Sequence, residues 1–154
     1  MAQGQINTIF GNRNDADIEQ CKKLMTDVVG LPNYFSVCFL ARCGTPKNCT
    51  KIQFNRIWKE LETKDIHRRA FNLLSTDKSK KFVTIDDFKK LFKDILEFHP
   101  GLDFLKDSPE FQDWYSVCVI NRMFFMANKK NDYKMSFREF KKSKILQSLF
   151  DIEN

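Results

Sequence analysis

The chain has 154 residues, a net charge of +6, 42% hydrophobic residues and 16 phenylalanines, against five glycines and four prolines. That balance excludes global disorder and allows a substantial core. No run of about 18 or more apolar residues exists, which excludes a membrane-spanning helix. Cys21, Cys38, Cys43, Cys49 and Cys118 form no C-x-x-C pair. The start Met1-Ala2-Gln3-Gly4 has no apolar signal-like core, so reduced thiols in a cytoplasmic or nuclear protein are expected.

Residues 1–13 read as a polar, turn-rich N-terminal extension whose Ile6, Ile9 and Phe10 could dock on the domain. Asn14-Asp15 is expected to open a helix with Ile18, Cys21, Leu24, Met25 and Val28 on one face, ended by Gly30. After the break Leu31-Pro32-Asn33, the apolar run Tyr34 to Ala41 predicts a short buried helix. Gly44 to Asn48 reads as a turn and Thr50-Lys51-Ile52 as a very short extended piece. Gln53 to Glu62 then predicts a helix with Phe54, Ile57, Trp58 and Leu61 on one face.

Asp65 to Ser75 predicts a further helix, followed by the polar loop Ser75–Lys81 and an extended Phe82-Val83-Thr84. Ile85 to Phe98 is amphipathic, with Phe88, Leu91, Phe92, Ile95 and Leu96 on its apolar face. His99-Pro100-Gly101 should stop it, and Leu102 to Asp107 should link it to the next helix.

That next helix starts with Ser108 as N-cap and Pro109 at the first helical position. Phe111, Tyr115, Val119, Met123 and Met126 recur along it at helical spacing, and Phe88, Phe92, Phe111, Tyr115 and Phe124 are expected in one buried cluster. A polar loop and a helix through Ile145, Leu146 and Leu149 complete an EF-hand frame, with a twelve-residue loop from Asn128 to Glu139. Calcium needs side-chain oxygens at loop positions one, three and five and a bidentate Glu at twelve. Asn128, Asp132 and Glu139 are the weak metal candidates. Lys130 stands at position three and Tyr133 where the sharp turn wants glycine, so neither metal nor cofactor is expected. The loop before Phe82 holds Lys78, Lys80 and Lys81 and reads one residue too long. Phe82-Val83-Thr84 should pair with Lys134-Met135-Ser136 as a tiny antiparallel ribbon. The fold class is therefore all-α: paired degenerate EF-hand helix–loop–helix units with very short β pairing between the loops. The single helical domain spans 14–150, with sub-units 14–64 and 65–150 and a tail at 151–154.

A zinc set from Cys38, Cys43 and Cys49 has the wrong spacing, and neither histidine lies near it. No Gly-rich phosphate loop or nucleophile elbow occurs, so no enzyme is expected. The cluster Arg138, Lys141, Lys142 and Lys144 suits an acidic protein surface better than nucleic acid, because no stacking aromatics interleave it. A calcium sensor that opens a groove on binding metal is the alternative reading.

The strings Phe82-Val83-Thr84-Ile85-Asp86-Asp87-Phe88, His99-Pro100-Gly101-Leu102-Asp103-Phe104-Leu105 and Ile120-Asn121-Arg122-Met123-Phe124-Phe125 make a specific set. Together they resemble the B-double-prime regulatory subunits of the type 2A serine/threonine protein phosphatase, and the likeness runs from about Asp15 to about Leu149. The resemblance implies a degenerate EF-hand module without catalysis. It also implies partners: the phosphatase scaffold and catalytic subunits, with a part in choosing substrates, and neither nucleic acid nor membrane. The chain reads as a piece of a longer protein.

Overall fold

A computed structural model describes residues 2–44, 48–98, 107–128, 130 and 132–153. They form two compact units, residues 1–73 and 74–154. The division between them falls inside a helix. The expected turn at 45–47, the stop at His99-Pro100-Gly101 and most of the linker after it lie outside the described residues.

The first unit begins with α1 (Ala2–Phe10), where an extension was expected. α1 buries Ile6 and Phe10 completely. The next helix starts three residues later than the sequence suggests. Asp15–Asp17 is instead β1, paired antiparallel with β2 (Asn48–Thr50). The extended piece near Thr50 is thus shifted back two residues, and Lys51 and Ile52 are helical. Each strand ends in an N-cap with a full capping box, Asp17 with Gln20 before α2 (Ile18–Leu24) and Thr50 with Gln53 before α4 (Lys51–Leu61). Ile18 and Ile52, the residues just inside these helices, are exposed. α2 runs on as a π-turn over Met25–Val29 and stops at Gly30, whose φ of 82° suits a residue without Cβ. A 3-10 turn at Asn33–Phe35 leads into α3 (Ser36–Cys43).

The core of this unit is aromatic. Phe54 on α4 meets Phe39 at 5.3 Å and Phe10 at 6.1 Å between ring centroids. α5 (Ile66–Leu74) supplies Arg69, whose guanidinium donates to the carbonyls of Val29 (2.8 Å), Leu61 (3.0 Å), Glu62 (3.0 Å) and Lys64 (3.0 Å). It also lies 5.0 Å from the centre of the Trp58 ring. One side chain therefore satisfies the carbonyls that α4 and the π-turn leave open at their ends.

In the second unit β3 (Phe82–Val83) pairs antiparallel with β4 (Met135–Ser136), as the sequence predicts. α6 (Ile85–Phe98) has the expected bounds and buries Phe88, Leu91, Phe92, Ile95 and Leu96. α7 (Pro109–Ala127) has Pro109 at its start, but Ser108 makes no capping hydrogen bond. Its buried face is Ser116, Ile120, Phe124 and Ala127, not the expected stripe. Phe124 stands edge-on to Phe88 at 5.7 Å. Phe111 is 47% exposed, so the expected five-residue cluster reduces to Phe88, Phe92 and Phe124. The misreading has a physical cause: α7 carries large apolar residues on two opposite faces, and periodicity cannot choose between them. The final helix is broken into α8 (Phe137–Lys142) and α9 (Ile145–Glu153). Lys144 adopts φ 59° at the break, and the Ser143 hydroxyl donates to Phe140 O at 2.9 Å. The bend turns Ile145, Leu146 and Leu149 into the core.

Phe92→Ala should cost about 3–5 kcal/mol through lost burial and a cavity, and Phe111→Ala less than about 0.5 kcal/mol, both measured by denaturant titration. Arg69→Lys should cost about 2–3 kcal/mol, because an ammonium cannot reach four separated carbonyls.

Candidate functional site

Four loops share one frame: helix, loop, a short strand with one buried residue, then a helix entered through a cap. The buried strand residues are Ala16, Cys49, Val83 and Met135, and they face each other in pairs, Ala16 with Cys49 and Val83 with Met135. The residue four places further on is the twelfth of an EF-hand loop: Gln20, Gln53, Asp87 and Glu139. The sequence showed three such frames. The first, around β1, carries no ligand chemistry and left no signal to read.

In every loop that twelfth side chain bonds the loop's own beginning. Gln20 Nε2 donates to Ile9 O at 3.2 Å and Gln53 Nε2 to Cys43 O at 3.2 Å. Asp87 accepts from the Thr76 hydroxyl at 2.8 Å and from Thr84 N–H at 2.9 Å. This contact makes Thr76–Asp87 a loop of standard length, so the extra residue expected before Phe82 is not there. Lys80, at φ 55°, turns its ammonium back onto Ser75 O at 2.6 Å.

The last loop gathers two of the three weak metal candidates. Asn128 Nδ2 donates to both carboxylate oxygens of Glu139, at 3.3 and 3.2 Å, and to Lys134 O at 3.1 Å. Its Oδ1 accepts from Tyr133 N–H at 3.0 Å. That bond holds Tyr133 at φ 60°, a conformation costing a bulky residue about 1–2 kcal/mol. Asp132, the third candidate, is not aimed at Glu139. It accepts from Lys134 N–H at 3.1 Å and is exposed.

These residues do not fit calcium. The Asn128 amide aims N–H groups at the carboxylate that would grip a cation, and a lysine stands at position three of both C-terminal loops, Lys78 and Lys130. The N-terminal pair offers neutral glutamines at position twelve. Among the described residues no group of three or more His, Cys, Asp or Glu could hold a metal ion.

The carboxyls that remain in the loops serve the backbone. Lys81 N–H and the Ser79 hydroxyl hold Asp77 below the usual carboxylate range, and Lys134 N–H with the Asn128 side chain does the same for Asp132. Both folded values lie below the unfolded value of about 3.9. Their contribution to stability is therefore complete above about pH 4 and is lost as pH falls through the folded values.

The basic candidates lie beside this loop. Arg138, Lys141 and Lys142 are exposed on α8, and Lys144 is exposed in the bend that follows. Arg138 and Lys142 line a hollow of about 400 Å³ with Met126, Ala127, Glu139 and Ser143. Sequence reasoning missed the exposure of three apolar residues, Phe125, Met126 and Tyr133, which are 81%, 74% and 57% exposed.

Comparison with known proteins gives two findings. Residues 65–154 match the EF-hand domain family. Along most of its length the chain is similar to several proteins of one kind. It is 33% identical over 142 residues to the human B'' alpha regulatory subunit of serine/threonine-protein phosphatase 2A, covering 90% of this chain and 12% of that protein. It is 27% identical over 150 residues to a protein of Arabidopsis thaliana described as a probable B''delta regulatory subunit of serine/threonine protein phosphatase 2A, covering 94% of this chain and 28% of that protein. The chain thus spans less than a third of the length of either relative.

Asn128→Ala removes the donor between the two Glu139 oxygens and should lower stability by about 1–3 kcal/mol. Asn128→Asp should cost more at pH 7, because it sets two carboxylates together. Lowering the pH to about 5 should narrow the gap between the two variants as the pair takes up a proton. Thermal melts of both proteins across that pH range check this.

Proposed function

The chain belongs to the EF-hand domain family and is homologous to B'' regulatory subunits of protein phosphatase 2A, and from that premise we propose that it is a regulatory interaction module that docks on the phosphatase scaffold subunit and helps present substrates to the catalytic subunit. The relatives are named as regulatory subunits and not as catalytic ones. The observation that carries the reading for this chain is the loop chemistry. Each of the four loops is closed by its own side chains, so the frames serve as scaffolding that keeps a fixed surface in place.

The exposed cations of α8 and its bend support a protein partner. Arg138, Lys141, Lys142 and Lys144 form a one-sided positive edge, suited to steering an acidic surface into contact. The calcium-sensor reading has less support. Opening a groove requires a cation to change the helix angle, and the donor set here does not suit one.

Purified scaffold subunit should form a one-to-one complex with the chain, measured by light scattering, and the affinity should fall as salt rises. Reversing Lys141 and Lys142 to Glu should slow association about three- to tenfold with an unchanged melting temperature. Millimolar calcium should leave the melting temperature within about 1 °C, since a ligand that binds only the native state would raise it. Absence of any complex would sink the docking proposal, and a calcium-induced rise of several degrees would restore the sensor.

A further inference from the structure

α7 has a second apolar face that the fold leaves open. Phe111, Trp114, Cys118, Arg122 and Phe125 succeed one another at steps of three, four, four and three, and all are exposed. Trp114 is 62% exposed and Phe125 81%. The stripe lies opposite the buried face of Ile120 and Phe124 and runs for about 21 Å, at about 1.5 Å per residue. Large apolar side chains gathered on a face that the fold leaves open mark an interaction surface. We propose that this stripe seats an amphipathic helix of a partner protein, and that a carboxylate of that helix sits against Arg122.

Spacing, shape and charge favour that occupant. Rows at steps of three and four are the ridges that helices interdigitate. Two hollows lie beside the C-terminal part of α7, one of them lined by stripe residues. One, of about 430 Å³, is lined by Asn121, Arg122, Phe124, Phe125 and Tyr133. The other is the hollow of about 400 Å³ beside Met126. Arg122 interrupts the apolar row, and no ion pair is found for it among the described residues. Covering it with an apolar helix would leave a cation unpaired, which is costly, whereas a carboxylate opposite it fixes the register. Arg138 and Lys142 extend the positive potential past the end of the row. A nucleic acid fits less well, because one arginine does not track a phosphate backbone and Phe111 and Trp114 tilt against each other at 46° with centroids 5.6 Å apart.

The proposal rests on the reading that the chain works by binding another protein, and the test separates the two. Two synthetic helical peptides of about 21 residues carry the same leucine stripe, with Glu or Lys at the centre. Binding is followed through Trp114, since the other tryptophan, Trp58, is buried. The Glu peptide should shift the emission to the blue and bind at least about tenfold tighter than the Lys peptide, the effect of one paired charge. Arg122→Glu should reverse that order, and Phe125→Ala should weaken the Glu peptide about tenfold, with both variants melting like the parent. Equal affinity for the two peptides would overturn the proposal. So would self-association abolished by Phe125→Ala, which makes a second copy the occupant, or an equal shift with an oligothymidylate. Peptide discrimination without scaffold binding would remove the docking reading and keep the stripe. Scaffold binding unaltered by Arg122→Glu and Phe125→Ala would do the reverse.

Discussion

The bond from the twelfth loop residue back to the loop's first turn is the contact on which both units depend. In a metal-binding EF-hand a cation draws those two points together. Here a glutamine amide, a hydroxyl or an asparagine amide does so: Gln20 to Ile9, Gln53 to Cys43, Thr76 to Asp87 and Asn128 to Glu139. The strands that meet between the loops are only two or three residues long. A ribbon of that size has no independent stability, so its register needs the loops to be fixed first. The capping boxes at Asp17, Thr50 and Ser136 employ the same twelfth side chains. One residue per frame therefore starts a helix, closes a loop and positions a strand.

Internal closure changes what the frame can do. A cation-closed loop exists in two states and can switch helix angles. A loop closed by its own side chains holds its two ends together without a cation. The buried thiols of the first unit fit the same picture. Cys21 and Cys49 lie 3.5 Å apart beneath the β1–β2 ribbon. The hydrogen bond to Cys21, with burial, pushes the Cys49 thiol up to about 12, and Cys43, hydrogen-bonded to Cys49, is pushed up further. Thiols so far from ionising are poor nucleophiles; they fill space under the ribbon.

The legible parts of the sequence were those where one physical signal dominated. α6 was readable because its apolar residues keep a single face, and the β3–β4 pairing because Val83 and Met135 each follow a polar loop at the same offset from an acidic twelfth residue. α1, β1 and the first frame were not readable. Ile6 and Phe10 are too few to show a period, and Gln20 does not announce a loop end as Glu does. The break between α8 and α9 was hidden because Lys144, which takes φ 59° there, is an ordinary helix former. In the candidate site, Asn128 and Glu139 were read as weak metal ligands in a loop spoiled by Lys130 and Tyr133; that the amide bonds the carboxylate is a matter of side-chain orientation, which no spacing reveals.

The error over α7 carries the most functional weight. Sequence periodicity put Phe111, Tyr115 and Met126 inward, and the fold put Ser116, Ile120 and Phe124 there. Both faces are apolar, and one globular unit can bury only one of them. Exposing large aromatics to water is unfavourable by about 25 cal/mol per Å² of apolar surface, so the second face adds nothing to the stability of the isolated chain. Its cost is offset where another surface covers it. Four loops closed by their own side chains and one uncovered aromatic helix support the proposed role of holding a partner. In the proposed complex the cations of α8 would act on the approach of the partner, and the aromatic row of α7 on how long it stays.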